Sequence, residues 1–278
     1  MFATRFAPSP TGYLHRGHAF SALTAYAAAR AADGRFVLRI EDIDVTRCRP
    51  EYEAAIYEDL AWLGLSWETP VRRQSEHLAD YQAALGRLEA DGLLYRCFRT
   101  RKEVAEEIAR APHSAMEAFR GAPLPPEEEA RRLAAGEPFA WRLSLAAAEA
   151  RLGGFSGLTF VEEGSGEARL VQARPELGGD VVLARKDVGV AYHLAVVLDD
   201  ALQGITHVVR GEDLAEATHV QRLLQALLGL PTPTYHHHRL LTGPDGRRFA
   251  KRDRSETLRE LRARGVSPET LRRQLGFD

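Results

Sequence analysis

One pattern near the start of the chain restricts the fold more than any other: an apolar run, a turn, and a long alanine-rich stretch. Residues 2–6 predict a short buried strand, which the two prolines and the glycine of residues 8–12 end. Helical spacing begins near His18 and runs to Ala32. A strand that enters a helix through a proline- and glycine-containing turn is typical of the first unit of an α/β nucleotide-binding fold.

The start of this helix has the residues that a phosphate site needs. Backbone N–H groups at a helix start favour an anionic ligand, and Gly17 places no side chain between the backbone and that ligand. His15 and His18 are three residues apart, so they can share one side of the first turn and donate hydrogen bonds to phosphate oxygens. An ordinary strand–turn–helix with surface histidines would also explain HxGH alone.

The next segments repeat the alternation of strand and helix. A second strand is predicted over 35–40, helices over 51–63 and 76–90, and a short apolar run over 93–98. This order predicts an α/β fold with a Rossmann-like, doubly wound parallel sheet, whose ligands lie at the carboxyl ends of its strands. The pattern then changes over 100–177, which we interpret as an inserted α+β subdomain. Apolar runs resume at 181–184, 192–198 and 205–209, and a helix is predicted over 216–228.

Two further groups of residues carry chemistry. Glu41 and Asp42 follow the second strand and would point to opposite sides if that strand continued, so they cannot share one role. Tyr192 and Arg210 lie next to apolar runs. Packing in a buried core explains the apolar residues of these runs, but it does not explain Tyr192 and Arg210.

Composition sets outer limits on the kind of protein. With 278 residues, of which 45% are hydrophobic, the chain should fold as a globular protein. No stretch approaches the roughly 18 apolar residues of a membrane span, and no signal peptide is visible, so we expect a cytoplasmic protein without membrane contact. The net charge of -2 leaves nucleic-acid binding to local basic patches. Only three lysines occur, which draws attention to Lys251 as a candidate phosphate ligand.

Metal sites are not expected. The only cysteines, Cys48 and Cys97, are too few for a disulfide framework or a thiolate zinc site. Of the run 236–238, three consecutive histidines, only the first and third could converge from a strand, so we expect solvated or hydrogen-bonded imidazoles there.

Residues 5–18, RFAPSPTGYLHRGH, resemble the HIGH signature of the class I aminoacyl-tRNA synthetases, and RFAPSPTG resembles its glutamyl and glutaminyl branch. RIEDID at 39–44 resembles the RIEDTD segment of that branch, with Ile43 in place of threonine. The resemblance implies ATP, with Mg²⁺, as cofactor. It also implies two sets of site residues: Arg5, Ala7, Ser9, Glu41, Tyr192 and Arg210 for glutamate, and Pro8, His15, Gly17, His18 and Lys251 for ATP, with His15, His18 and Lys251 catalytic.

Two other family motifs are altered. RFAKR at 248–252 lies where the family has the KMSKS loop and keeps its second lysine, Lys251, with a conservative arginine for the first. Taken alone, an arginine-rich flexible loop would explain the pentapeptide. Cys97, Phe98 and Arg99 lie where short members carry the Cys-x-Cys of a zinc-binding insertion; the second cysteine is missing and His113 cannot replace two thiolates. The resemblance therefore implies no structural zinc.

These motifs divide the chain into four ranges. We expect a first half of the catalytic domain at 1–99, an inserted acceptor-type subdomain at 100–177, the second half at 178–246, and the KMSKS-like loop with C-terminal helices at 247–278. Full-length glutamyl-tRNA synthetases continue into an anticodon-binding domain where this sequence ends, so we expect no such domain here.

A core of this kind resembles the short glutamyl-queuosine branch of the family. That resemblance implies a monomer that activates L-glutamate with ATP and transfers it to queuosine at the wobble position of tRNA(Asp). Three alternatives stay open: a truncated glutamyl-tRNA synthetase that charges a tRNA 3′ end, a non-catalytic paralogue that binds tRNA or amino acid, and an unrelated HxGH nucleotidylyltransferase.

Overall fold

The structure is a computed structural model that describes residues 1–110, 118–164, 167–185, 189–241 and 256–277. Lys251 and His113 lie outside the described residues. The described strands are β1 (Ala3–Phe6), β2 (Arg35–Ile40), β3 (Arg72–Arg73), β4 (Leu94–Cys97), β5 (Ala140–Leu143), β6 (Thr159–Glu162), β7 (Arg169–Gln172), β8 (Val182–Arg185), β9 (Gly189–Val190), β10 (His207–Gly211) and β11 (Thr234–His238). The described helices are α1 (Arg16–Ala31), α2 (Pro50–Trp62), α3 (Leu78–Ala90), α4 (Arg101–Arg110), α5 (Pro126–Ala134), α6 (Leu145–Leu152), α7 (Tyr192–Leu202), α8 (Ala215–Leu228), α9 (Leu258–Ala263) and α10 (Pro268–Leu275).

A parallel sheet forms the centre of the molecule. β1 pairs with β2 and β2 with β3, while β10 pairs with β11, and all of these pairs are parallel. β1 and β10 lie side by side, because Thr206 N–H donates to the carbonyl of Ala3 and Ala3 N–H donates to Thr206 Oγ1, each at 2.9 Å. Two sheets, of order β3-β2-β1 and β10-β11-β6-β7, thus lie next to each other at β1 and β10, and β6 pairs parallel with β11. This is the α/β, doubly wound arrangement that the sequence predicted.

Apolar side chains on both faces of this sheet form two separate cores. Along β2, Phe36 and Leu38 belong to one core and Val37 to the other, as expected for a strand whose side chains alternate. The first core also holds residues of α1, α2, α9 and α10, and the second holds residues of α3, α7 and α8. Helices thus cover both faces of the sheet. Among the described helices, none combines the length and apolar character needed to cross a bilayer.

One apolar run differs from the sequence interpretation, and the structure gives the element type of another, which the sequence left open. The run at 93–98 forms β4, which pairs antiparallel with β5 in a second sheet of order β4-β5-β8-β9 and does not extend the parallel sheet. The run at 192–198 forms the start of helix α7, with four consecutive buried residues from Leu194 to Val197. A short apolar run indicates that its residues are buried. It does not show whether they form a strand or a helix, or which strand they pair with.

The second sheet draws its strands from three of the ranges expected from the sequence. β4 lies in range 1–99, β5 in 100–177, and β8 and β9 in 178–246. The buried carboxylate of Asp180 reinforces this sheet, since it accepts hydrogen bonds from Tyr95 Oη at 2.9 Å and from the backbone N–H of Leu145 at 3.0 Å. The domain boundaries themselves stay a prediction.

Candidate active site

A cavity of about 560 Å³ lies at the carboxyl ends of β1, β2, β10 and β11. This position follows from the fold, because loops leave a doubly wound sheet there. Every predicted site residue within the described ranges lines this cavity: Arg5, Ala7, Pro8, Ser9, His15, Gly17, His18, Glu41, Tyr192 and Arg210. Lys251 is the one predicted site residue outside the described ranges. The structure thus brings the predicted residues together, while their individual roles stay predictions.

The two histidines of HxGH cap the helix that they begin. His15 is the N-cap of α1, and its Nδ1 accepts a hydrogen bond from Gly17 N–H at 3.1 Å. His18 Nδ1 in turn accepts from His15 N–H at 3.1 Å, and the two ring centroids are 3.8 Å apart. Because both Nδ1 atoms accept, a neutral imidazole carries its proton on Nε2. The helix start therefore offers imidazole N–H donors, while the Gly17 N–H already has a partner.

A buried ion network lies beneath the cavity and is centred on Arg39, which has no solvent exposure. Its guanidinium donates to Glu41 at 3.1 Å and to Asp200 at 2.8 Å, and Asp200 also accepts from Arg5 Nε at 3.0 Å. Burial raises the pKa of Glu41, although Arg39 and Arg5 oppose that shift. Burial acts in the same direction on Asp200, but its two arginine partners outweigh it and hold its pKa below the usual range. The network fixes Arg5 and Glu41 at the cavity wall.

Glu41 and Asp42, which follow β2, have different surroundings, as the sequence suggested. Glu41 lines the cavity, whereas the carboxylate of Asp42 accepts hydrogen bonds from Ser75 N–H at 2.8 Å and Ser75 Oγ at 2.6 Å. The two neighbouring acids therefore have different surroundings, and only Glu41 is placed to contact a ligand in this cavity.

Arg210 is held by neutral groups. Its Nε donates to His237 Nε2 at 3.2 Å, its Nη2 to Thr218 Oγ1 at 2.6 Å, and its Nη1 to Tyr192 Oη at 3.4 Å. The residue is 5% exposed, and within the described residues no carboxylate lies at ion-pair distance from it. A buried cation without an anion is unfavourable, so this position favours an anionic ligand.

A second cavity, of about 820 Å³, adjoins the first. The two share a wall formed by Ser9, Thr11, Glu41, Arg47 and Tyr192. The far side of the second cavity is basic and aromatic, and includes Phe98, Arg99, Arg101, Phe139, Arg142 and Arg185. Arginines interleaved with aromatic rings are suited to the backbone and bases of a single nucleic-acid strand.

Sequence reasoning missed the residues that support these side chains. Thr218 and His237 bind Arg210, and Glu162 binds His237. Asp200 accepts hydrogen bonds from both Arg5 and Arg39. His238 also lines the first cavity, at the end of β11. Its position at the carboxyl end of a parallel strand is a signal that could have identified it.

The structure shows the contacts of two histidines of the run 236–238 and of Cys97. His237 and His238 are hydrogen-bonded, as the sequence suggested. Cys97 is buried in a small apolar cluster with Tyr95, Val104 and Phe119. Over the described part of the chain, no three His, Cys, Asp or Glu side chains come close enough to hold a metal ion.

Comparison with known sequences finds relatives whose names refer to glutamate. A glutamyl-Q tRNA(Asp) synthetase of Rhodobacter capsulatus is 48% identical, and the match covers 99% of each chain. A protein of the same name from Symbiobacterium thermophilum is 42% identical and matches 100% of this chain and 86% of its own length. A glutamate–tRNA ligase of Aquifex aeolicus is 38% identical over 96% of this chain and 55% of its own.

Solved structures agree with this placement. The crystal structure of a glutamate tRNA ligase from Elizabethkingia meningosepticum, in complex with its amino acid, superposes with a TM-score of 0.72 at 28% identity over 91% of this chain. The chain spans about half the length of that structure. Residues 1–277 match the family model of the class I tRNA synthetases (E and Q), catalytic domain. These findings confirm the expected Rossmann-like fold and ligase class, and the chain belongs to the class I glutamyl and glutaminyl tRNA synthetase family.

Proposed function

We propose that this chain activates L-glutamate with ATP and transfers the glutamyl group to the queuosine base at the wobble position of tRNA(Asp). One observation carries the first half of the proposal: Arg210, a buried cation held only by neutral described partners, lines the same cavity as the acid Glu41 and the two HxGH histidines.

The charges of the cavity suit glutamate at each of its ends. Arg210 and Tyr192 would hold the side-chain carboxylate, with Arg5 alongside, because guanidinium–carboxylate pairs are strong and directional. Glu41 would pair with the α-ammonium group. Glutamine would leave the Arg210 cation without an anion in a buried site, and that penalty opposes its binding.

ATP would bind at the start of α1. In this position the Nε2–H groups of His15 and His18 would donate to phosphate oxygens, and Pro8 and Gly17 line the adjacent wall. We expect Mg²⁺ to enter with the triphosphate as part of the substrate. Lys251, from its place in the sequence, would add a cation near the leaving pyrophosphate.

Two steps follow from this arrangement. In the first, an α-carboxylate oxygen of glutamate attacks the α-phosphorus of ATP, the bond to the β-phosphate oxygen breaks, and pyrophosphate leaves. In the second, a hydroxyl of the acceptor attacks the carbonyl carbon of the mixed anhydride, and AMP leaves with the electron pair. The protein contributes the alignment of the reactants and the stabilisation of phosphate charge.

The acceptor would enter through the second cavity, which shares Ser9, Glu41 and Tyr192 with the first. Its arginines and aromatic rings fit an unstacked nucleoside and the phosphates beside it. Queuosine is favoured over a tRNA 3′ end by the relatives named glutamyl-Q tRNA(Asp) synthetase, which are 42–48% identical to this chain.

Glutamate-dependent exchange between ATP and labelled pyrophosphate, without tRNA, tests the first step. We expect exchange with glutamate and at most weak exchange with glutamine. Arg210→Ala should abolish it, whereas Arg131→Ala, at an arginine whose side chain is 73% exposed, should leave it unchanged. Absence of glutamate-dependent exchange in the unaltered protein would overturn the proposal.

Transfer of labelled glutamate separates the possible acceptors. We expect label on tRNA(Asp) that contains queuosine and none on the same tRNA with unmodified guanosine. Label on unmodified tRNA(Glu) would instead identify a glutamyl-tRNA synthetase that charges the 3′ end. Exchange without any transfer would contradict the acceptor while leaving the activation step standing.

A further inference from the structure

His237 links Arg210 to a buried acid. Its Nδ1 lies 2.7 Å from Glu162 Oε2, its backbone N–H donates to Glu162 Oε1 at 2.9 Å, and its Nε2 accepts from Arg210 Nε at 3.2 Å. The side chains of His237 and Glu162 are only 7% and 8% exposed. Three residues from β6, β10 and β11 thus form one chain of hydrogen bonds that ends at the cavity.

The hydrogen-bond geometry defines the proton on His237. Burial would raise the pKa of Glu162, but the hydrogen bonds from His237 outweigh burial and lower it, so Glu162 is an anion. An anionic carboxylate only accepts, so Nδ1 carries the imidazole proton. The guanidinium of Arg210 only donates, so Nε2 must be the bare, accepting nitrogen. The site therefore requires the neutral Nδ1–H tautomer of His237.

We propose that His237, anchored by Glu162, is the positioning residue that orients Arg210 and so sets the preference of the pocket for a carboxylate side chain. The inference rests on the proposed function of Arg210. With its Nε held by His237 and its Nη2 by Thr218, the guanidinium cannot rotate about its own axis, and its Nη1 edge stays beside Tyr192 at the cavity wall.

The imidazole also acts as a neutral spacer between the two charges. A carboxylate paired directly with Arg210 would neutralise the guanidinium and compete with the substrate carboxylate for it. With His237 between them, Glu162 orients Arg210 through a neutral hydrogen-bond acceptor, and the cation keeps its attraction for a ligand. The ring of Tyr235, 5.4 Å from the Arg210 guanidinium carbon, adds a neutral face to the same surroundings.

Two substitutions of His237 distinguish its role in orienting Arg210 from the effect of losing its ring from the packing. In His237→Gln, the amide oxygen reaches the place of Nε2 and can still accept from Arg210. In His237→Asn, the shorter amide can donate to Glu162 from the place of Nδ1, but nothing reaches Arg210. We expect the KM for glutamate in pyrophosphate exchange to rise about tenfold or more in His237→Asn and to stay within about threefold in His237→Gln, with kcat at saturating glutamate changed little in both.

The same strand offers a matched control in His236→Asn, which makes the same chemical change one residue away on the opposite face and should leave the KM unchanged. Equal rises in KM for the Asn and Gln variants, or a fall in kcat with no change in KM, would overturn the positioning role.

Nitrogen-15 chemical shifts of His237 provide a readout that needs no activity. We expect a protonated Nδ1 and a bare Nε2 in the ligand-free protein, and the opposite tautomer or an imidazolium would contradict the inference. If exchange fails in the unaltered protein but the tautomer is as expected, the proposed function fails while the geometry of the chain from Glu162 to Arg210 stands.

Discussion

At the scale of single residues, Asp59 differs from every other acid discussed above. Its side chain is fully buried on α2, and neither carboxylate oxygen has a hydrogen-bond partner among the described residues. Arg262 on α9 lies 3.7 Å away. Burial raises its pKa to about 6, with Arg262 opposing the shift. The ionised form of Asp59 therefore destabilises the folded protein at neutral pH, at the contact between α2 and the C-terminal helices.

Replacement of Asp59 by asparagine should stabilise the protein above pH 7. Because the folded chain binds the Asp59 proton more tightly than the unfolded chain, its stabilising contribution is complete below about pH 4 and is lost as the pH rises through about 6. We expect Asp59→Asn to raise the free energy of unfolding by about 1–3 kcal/mol at pH 8 and by much less at pH 4. Urea unfolding at the two pH values measures the difference.

Glu58→Gln is the matched control for this prediction. Glu58 also contacts Arg262, at 3.1 Å, but its side chain is 65% exposed. We expect its substitution to change stability by less than about 0.5 kcal/mol at pH 8. An equal gain of stability at pH 4 and pH 8 for Asp59→Asn would contradict the role of ionisation.

Residues that line the cavity were easier to predict than the residues that support them. Arg5, Glu41, Tyr192 and Arg210 belong to motifs with recognisable neighbours, and all four line one cavity. Their supporting partners come from other segments of the chain, as in the pair of Arg210 with His237, 27 residues apart, and the pair of Arg5 with Asp200, 195 residues apart. Such pairs depend on strand order, which the local pattern does not specify.

At the scale of elements, helix α1 is unusual because its N-cap is a histidine. The Nδ1 of His15 accepts the Gly17 N–H in the way that a serine, aspartate or asparagine side chain normally does. One side chain thus stabilises the helix and lines the proposed ATP site. The two roles can be separated, because asparagine provides the acceptor without the imidazole.

His15→Asn should keep stability and lose activity. We expect it to unfold within about 0.5 kcal/mol of the unaltered protein, while His15→Ala loses about 1 kcal/mol with the cap. Both should reduce glutamate-dependent pyrophosphate exchange at least about tenfold, since each removes the Nε2–H donor. Chemical denaturation and the exchange assay measure the two effects. Full activity in His15→Asn would show that capping alone explains this histidine.

Elements were predictable where local pattern and context agree. Strand β2 has the predicted bounds, because its apolar run lies between a turn and a polar segment. The start of α7 was ambiguous, since Leu194–Val197 would be buried in either a strand or a helix. For β4 the local prediction was correct, but its antiparallel partner β5 lies more than 40 residues further along the chain, so no local pattern could identify it.

At the scale of the whole molecule, ligand binding should stabilise the fold, because the cavity is built from the ends of several strands and two helices. At a glutamate concentration about 100 times the Kd, we expect about 2.7 kcal/mol of stabilisation and a rise in Tm of about 5 °C. Differential scanning fluorimetry measures the shift. Glutamine at the same concentration should produce little change, because it leaves Arg210 unpaired.

Arg210→Ala should remove the glutamate-dependent shift while the protein still unfolds cooperatively. Arg131→Ala, at an exposed position on α5, should keep the full shift. An equal shift with glutamate and glutamine would contradict the assignment of Arg210 to the side-chain carboxylate.

The wall shared by the two cavities has a consequence for timing. A glutamyl-adenylate that is exposed to water before its acceptor reaches it is hydrolysed. The fraction that is transferred therefore depends on the time before transfer and on the distance between the two reaction sites. Under the proposed function, the activated carbonyl would form where the two cavities meet, because Ser9, Glu41 and Tyr192 line both of them, and the acceptor hydroxyl would reach it from the second cavity. The intermediate would then not have to move between two sites, and its lifetime would depend on the arrival of the tRNA.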